Sequence, residues 1–399
     1  MNSTSTRADV LTAEMKKAFG RGRSECRIVR SPYRICPLGA HIDHQQGIVT
    51  GMCIDHSVLL AFAPNSDSTI RMTSKNFPGT VTFSIEDELV AENKNWGNYL
   101  KGAVYALKKM YPLRFGFDGI IEGNLPIGGL SSSAAVGLAY LLALEHVNGI
   151  ETTRADNIRL DQIIENEFIG LNNGILDQSA ILLSEKDRLL YLDCQTGDSE
   201  TIPASKQIQN FEILVVYSGL SRALTGTGYN QRVHECRQAA RFLLENNGTA
   251  FAENPVLRDV PASIFENYQH KLSENLHKRA RHFFTELDRV LRGREVWQQG
   301  NLVEFGALVN QSGESSIENY ECGSPHLITI YRILTNTPGV YGSRFSGAGF
   351  RGCCIGLVDP RYREQIAHTI HSEYPKIHPD IESTYSIYFC QSDHGASIL

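Results

Sequence analysis

The chain reads as an α+β protein built from two layered units. Strand-like and helix-like stretches mix along its whole length. A polar, turn-rich segment, Gln195-Thr-Gly-Asp-Ser-Glu-Thr-Ile-Pro-Ala-Ser205, interrupts it near the middle. Its 399 residues suffice for two cores. The expected division is therefore 1–205 and 206–399.

In the first unit, residues 8–20 carry helical apolar spacing at Val10, Leu11, Met15 and Phe19. Strand-like runs follow at 26–30, 49–63, 69–73 and 80–85. Residues 96–110 read as a helix through Leu100, Val104, Tyr105 and Leu107, and 115–122 as a strand. The turn Pro126-Ile-Gly-Gly129 opens a long apolar helix over 131–147, and 156–169 reads as an amphipathic helix. A hairpin is expected from 181–184 and 189–193 around Glu185-Lys-Asp187. The second unit is expected to hold a strand at 211–217 and helices near 229–245, 274–293, 302–311 and 325–336. A strand–turn–strand around 342–358, a helix at 360–373 and a strand at 383–390 complete it.

The bulk composition excludes several classes. Apolar residues make up 42% and charged residues 21%, ordinary for a globular protein. A net charge of −6 gives no electrostatic footprint for nucleic acid. The longest apolar runs fall short of a membrane span, and the N-terminus lacks an apolar signal core. The nine cysteines are scattered, without CxxC spacing for zinc, and read as reduced thiols. These features suggest a cytoplasmic monomer with no membrane or nucleic-acid partner.

Three segments carry chemistry. Pro126-Ile-Gly-Gly-Leu-Ser-Ser-Ser-Ala-Ala135 couples a glycine turn to a helix start, where free amides and the positive helix end favour a phosphate. No lysine follows the glycines, so it is not a Walker A loop. An ordinary serine N-cap is the bland alternative. Gly347-Ala-Gly-Phe-Arg-Gly352 matches G-x-G-x-x-G literally, but Cys353–Val358 after it reads as a strand rather than the helix a dinucleotide site requires. It is read as a tight loop that approaches the ligand from the second unit. In Arg34-Ile-Cys-Pro-Leu-Gly-Ala-His-Ile-Asp-His-Gln-Gln-Gly47, the cluster His41, Asp43 and His44 gives a weak metal reading. By default Glu165 is a solvated helix residue and Asp177 a hydrogen-bonded structural carboxylate.

Taken in order, Arg34–Gly47, Pro126–Ala135 and Ser343–Cys353 resemble the three motifs of the GHMP sugar kinases, in their galactokinase branch. The resemblance runs from about residue 26 to 358. It implies a fold whose N-terminal domain has a mixed sheet with a left-handed βαβ unit and whose C-terminal domain is ferredoxin-like. It implies ATP and Mg²⁺ bound with a sugar between them. By that resemblance Asp177 is the base, and Arg34 stabilises the phosphoryl group. Ser133, with Ser132, and Glu165 hold magnesium. Gly128, Gly129, Leu130 and Ser131 cradle the phosphates, and Trp96 and Tyr99 lie on the adenine side. His41 and Asp43 fix sugar hydroxyls, and Tyr229 closes the pocket.

The departures within the branch are specific. Ala40 stands where those kinases carry a glutamate that grips the sugar's sixth-carbon hydroxyl. His44 replaces a usual tyrosine, and Ala348 and Arg351 replace glycines. This set resembles galacturonokinases and implies a sugar acid, D-galacturonate, as the acceptor. A glutamate about 4 Å from a substrate carboxylate costs roughly 4 kcal/mol at an effective dielectric near 20, about a thousandfold in binding. The carboxylate needs a cationic or amide partner, for which His44, Arg351 and Arg222 are the candidates. The alternatives are a kinase for another sugar (glucuronate, galactose or N-acetylgalactosamine) and a non-catalytic sensor on the same scaffold.

Overall fold

The computed structural model describes residues 4–93, 95–206, 208–220, 228–350, 352–381 and 383–399. Helix α1 (Thr4–Phe19) precedes β1 (Arg27–Ile35), β2 (Ile48–Pro64), β3 (Thr69–Ser74) and β4 (Thr80–Ser84). Then come α2 (Asn98–Lys108), β5 (Phe117–Gly123), α3 (Ser132–Asn148), α4 (Arg154–Ile163) and α5 (Leu176–Leu183). The strands align as β1-β2-β5-β3-β4. Among the described residues only β3 and β5 run parallel, joined through β4 and α2, so the sheet is mixed.

Strand β2 shows why this sheet reads as continuous apolar sequence. Val58, Leu60 and Phe62 enter the main core, while Leu59 and Ala61 enter a second one beneath α1. A strand with both faces covered loses polar alternation. Helix α3, apolar all round, is buried between β1 and β2 on one side and α2 and α4 on the other.

The hairpin expected over 181–193 does not form. Residues 181–183 are the last turn of α5, and β6 (Arg188–Asp193) pairs instead with β2 and with β7 (Ser199–Pro203). A short apolar run cannot separate a buried helix end from a strand by period alone. The helix expected from 156 begins at 154, because Thr153 and Asp156 close a reciprocal capping box. Over Ile164–Ile169 it widens into a π-helical turn, which carries Glu165.

The second sheet comprises β8 (Glu212–Tyr217), β9 (Val340–Phe345), β10 (Cys353–Val358) and β11 (Ser386–Cys390). Its antiparallel order β11-β8-β10-β9 is the ferredoxin-like arrangement. Between β8 and β9 lie α6 (Tyr229–Asn246), α7 (Ala262–Tyr268), α8 (Glu274–Gln299), α9 (Leu302–Glu318) and α10 (Pro325–Thr335). Helix α11 (Arg363–Ile377) links β10 to β11. Along β8, Ile213 and Val215 join the main core, and Leu214 and Val216 join the core of the second sheet's other face. The neighbours Cys353 and Cys354 divide the same way, and all nine cysteines are free thiols. The chain then returns to the first sheet through β12 (Ser392–Asp393) on β2 and β13 (Ser397–Ile398) on β1. Among the described residues no helix is long and apolar enough to cross a membrane.

One buried acid away from any cleft has a measurable consequence. Glu145 on α3 accepts from Asn157 Nδ2 at 3.3 Å, and its Oε1 has no partner. Burial raises its pKa to about 7. The folded value lies above the unfolded one, so the penalty is absent below about pH 4, grows up to pH 7 and is constant above. Glu145→Gln is expected to gain stability relative to the parent by roughly 2 kcal/mol between pH 5 and pH 8, read by denaturant unfolding at each pH.

Candidate active site

Two glycine turns from the two sheets touch. A Cβ on Gly129 would lie 2.9 Å from the Cys353 nitrogen, and one on Gly352 would lie 2.6 Å from the Gly128 carbonyl carbon. No larger residue permits that approach, and both positions have positive φ. Gly347 and Gly352, between β9 and β10, therefore rest on the turn before α3, and a strand rather than the helix of a dinucleotide site follows them.

Ser131 is not an ordinary cap. It has φ 55°, makes no capping bond, and its buried Oγ has no partner. The first-turn amides of α3 thus have no side-chain cap. Leu130 turns inward, and its carbonyl accepts the Arg34 amide at 3.3 Å.

A wide cleft of about 1030 Å³ spreads from this turn, with Trp96, Tyr99, Gly128, Gly129 and Ser131–Ser133 along it. Trp96 stacks on Phe77 at 6.4 Å, nearly parallel. Deeper in, a narrow cavity of about 70 Å³ is lined by Ala40, His41, Asp43, Glu165 and Tyr229. Arg34, Ser133, Asp177 and Ala348 line both, so they mark the junction.

At that junction Asp177 opens the first turn of α5, where the helix dipole favours an anion. Arg34, buried on β1, donates to Asp177 Oδ1 from Nε at 2.9 Å and Nη2 at 2.5 Å, and from Nη1 to Ser346 Oγ at 3.4 Å. Burial lowers the Arg34 pKa, but Asp177, Cys36 and Asp43 together outweigh it and the net shift is upward.

Asp43 is raised to about 6, by burial first and then by Asp177, against bonds from the His44 and Leu176 amides. Gly174 sits on Asp43 so closely that a Cβ would meet its carbonyl carbon at 2.6 Å. Glu165 is raised to about 7, again by burial and then by Asp177. The Ser133 hydroxyl and the Asn173 amide bond to it, while its buried Oε1 is without a partner. A turn deeper, Asp161 is fully buried beneath Gly137 with both oxygens unpartnered, and burial pushes its pKa well up.

The other wall is aromatic and basic. His41 stacks on Tyr320 at 4.2 Å, and its Nε2 lies 3.5 Å from Cys322 Sγ. His44 sits behind this wall with Nε2 3.1 Å from the Tyr320 hydroxyl and Nδ1 3.0 Å from Gln45 Nε2. Burial holds His41 well below the ordinary imidazole range and brings His44 to about 3, so both are neutral at pH 7. The weak metal reading of His41, Asp43 and His44 fails, since their side chains engage separate partners and do not converge.

Sequence reasoning missed the support of this wall. His282 Nε2 donates to the Ala40 carbonyl at 3.0 Å, and Glu286 Oε1 accepts the Gly39 amide at 2.7 Å. Both lie on α8, some 240 residues away, where they read as ordinary helix residues. Arg344 on β9 is fully buried beside them. The run Asn172-Asn-Gly174 did carry a turn signal. Arg222 and Arg351, two expected carboxylate partners, lie outside the described residues.

Comparison with known proteins agrees with this arrangement. Residues 14–64 match the galactokinase galactose-binding signature, 98–185 the GHMP kinases N terminal domain and 294–376 the GHMP kinases C terminal domain. A galacturonokinase from Arabidopsis thaliana is 46% identical, covering 95% of each chain. A galactokinase from Roseiflexus sp. is 32% identical, covering 96% of each. The crystal structure of Lactococcus lactis galactokinase complexed with galactose superposes with a TM-score of 0.90 at 30% identity, over 99% of this chain and 100% of that one.

Proposed function

Because the chain belongs to the galactokinase branch of the GHMP kinases and is an ATP-dependent sugar kinase, we propose that its acceptor is D-galacturonate. The γ-phosphoryl group of ATP passes to the anomeric hydroxyl, giving D-galacturonate 1-phosphate and ADP. The observation that carries this reading is Ala40. It lines the narrow cavity where the branch places a glutamate, and the wall behind it is backed by a buried guanidinium. An anionic sixth carbon fits there, and a second carboxylate does not.

The chain's own residues divide the work. Nε and Nη2 of Arg34 converge on Asp177 Oδ1, which leaves Oδ2 to accept the proton of the anomeric hydroxyl. Nη1 of Arg34, held only by a long bond to Ser346, faces the junction and stabilises the transferring phosphoryl oxygens. Asp43 and His41 fix sugar hydroxyls, and Tyr229 closes the cavity. Gly128, Gly129 and the free amides after Leu130 cradle the phosphates, with Trp96 and Tyr99 beside the base.

The Mg²⁺ of this branch fits the donor set. Glu165 offers a buried oxygen without a partner, next to the Ser133 hydroxyl. When bound, the ion neutralises charge on the ATP phosphates. The same reading divides the chain at 205/206 into a sugar- and phosphate-binding unit and a unit whose glycine turn closes the cleft. It describes a cytoplasmic monomer. An intact Arg34–Asp177 pair argues for an enzyme rather than a sensor.

A panel of uronic and neutral sugars, scored by ADP release, tests the proposal. Galacturonate is expected to be used at least a hundredfold more efficiently than galactose; equal use rejects it. Ala40→Glu is expected to raise the galacturonate KM by two to three orders of magnitude, from the roughly 4 kcal/mol of charge repulsion. An unchanged KM shows that residue 40 does not face the sixth carbon. Asp177→Ala is expected to abolish turnover while ATP still binds in calorimetry; near-parental turnover removes Asp177 from its role.

A further inference from the structure

We propose that Arg344 holds the carboxylate of the sugar, so that the substrate supplies the anion residue 40 lacks. This deepens the galacturonate reading and rests on it. Arg344 and Phe345 are neighbours on β9 and point to opposite faces, so Phe345 lines the narrow cavity and Arg344 lies in the layer behind that lining. Its side chain is fully buried. Nε donates to the Phe345 carbonyl at 3.1 Å and Nη2 to Ser316 Oγ at 3.3 Å, but Nη1 has no hydrogen-bond partner. The carboxylate oxygen paired with it, Glu286 Oε1, stands 3.8 Å away, beyond hydrogen-bond reach.

That oxygen is already taken by the Gly39 amide and the Ser312 hydroxyl, and Arg289 takes Oε2 at 2.7 Å. One carboxylate thus serves two buried guanidiniums. The charge cluster behind the wall keeps one positive charge in excess. The imidazoles around it do not add to this, since burial keeps His41, His44 and His282 neutral. A buried cation with an open donor is costly, and the cost falls when an anion completes it.

The cation lies close to the sugar cavity. Glu286 Oε1, 3.8 Å from its Nη1, accepts the amide of Gly39, whose chain neighbour Ala40 lines that cavity. A glutamate at 40 would supply the missing negative charge from the protein. Alanine leaves it to the ligand, and a neutral hexose leaves Nη1 unpaired. Selectivity for the acid then arises from one guanidinium left incomplete by one absent side chain.

Steady-state kinetics with galacturonate and galactose on the parent, Arg344→Lys and Arg344→Met, with folding checked by circular dichroism, test this. Both variants are expected to raise the galacturonate KM at least tenfold while changing the galactose KM less than threefold. Equal losses for both sugars, or an unchanged preference in folded variants, overturn the role of Arg344 and leave the galacturonate reading standing. Failure of the parent enzyme to use galacturonate instead sinks that reading and this one with it. A crystal structure of the parent with galacturonate decides the matter where the variants do not fold. The carboxylate within hydrogen-bond distance of Nη1 supports the proposal, and a carboxylate directed elsewhere overturns it.

Discussion

The site depends on one buried ion pair. Arg34 comes from the first sheet and Asp177 from the start of α5. The same guanidinium reaches Ser346 on the loop from the second sheet, and its own amide is held by Leu130 in the phosphate turn. Four segments distant in sequence converge on that one residue. Breaking such a pair by removing one partner leaves an uncompensated charge in a dry interior. Register between the two sheets is therefore coupled to the geometry of the Asp177 carboxylate.

Around that pair the cavity has two electrical poles. Asp43, Glu165, Asp161 and Asp177 gather on one side, and three of them are pushed up in pKa by burial. Arg344, Arg289 and Glu286 lie behind the other side. The acidic pole suits a cation and an anomeric hydroxyl that must lose its proton. The basic pole suits an anion at the far end of the same sugar. On the proposed reading, a hexose acid laid across the cavity satisfies both at once, whereas a neutral hexose satisfies only the first.

Most of the fold was readable because its strands and helices carry strong apolar patterns. The phosphate turn, the glycine loop of the second sheet, and the Arg34 and Asp43 segment were readable as local motifs. What could not be read had no local signal. The end of α5 looks like a strand because Ile181, Leu182 and Leu183 are contiguous and apolar, and only pairing of β6 with β2 and β7 decides the matter. The support behind Ala40 was invisible for a different reason. His282, Glu286 and Arg344 gain their meaning by meeting across 240 to 300 residues of chain, and each alone resembles surface polarity.

On the proposed reading, alanine at residue 40 gives acidic specificity at small physical cost. Introducing a new arginine into a closed cavity requires space, a route for its aliphatic stem and partners for five donors. Deleting a carboxylate beside a guanidinium that already exists requires none of these. The scaffold around Arg344 stays in place through Ser316, the Phe345 carbonyl and Glu286. On the same proposal, the open donor is a property of the resting enzyme and is completed when a sugar acid binds. Discrimination of this kind works against the neutral sugar through an unmet bond as much as for the acid through an added one.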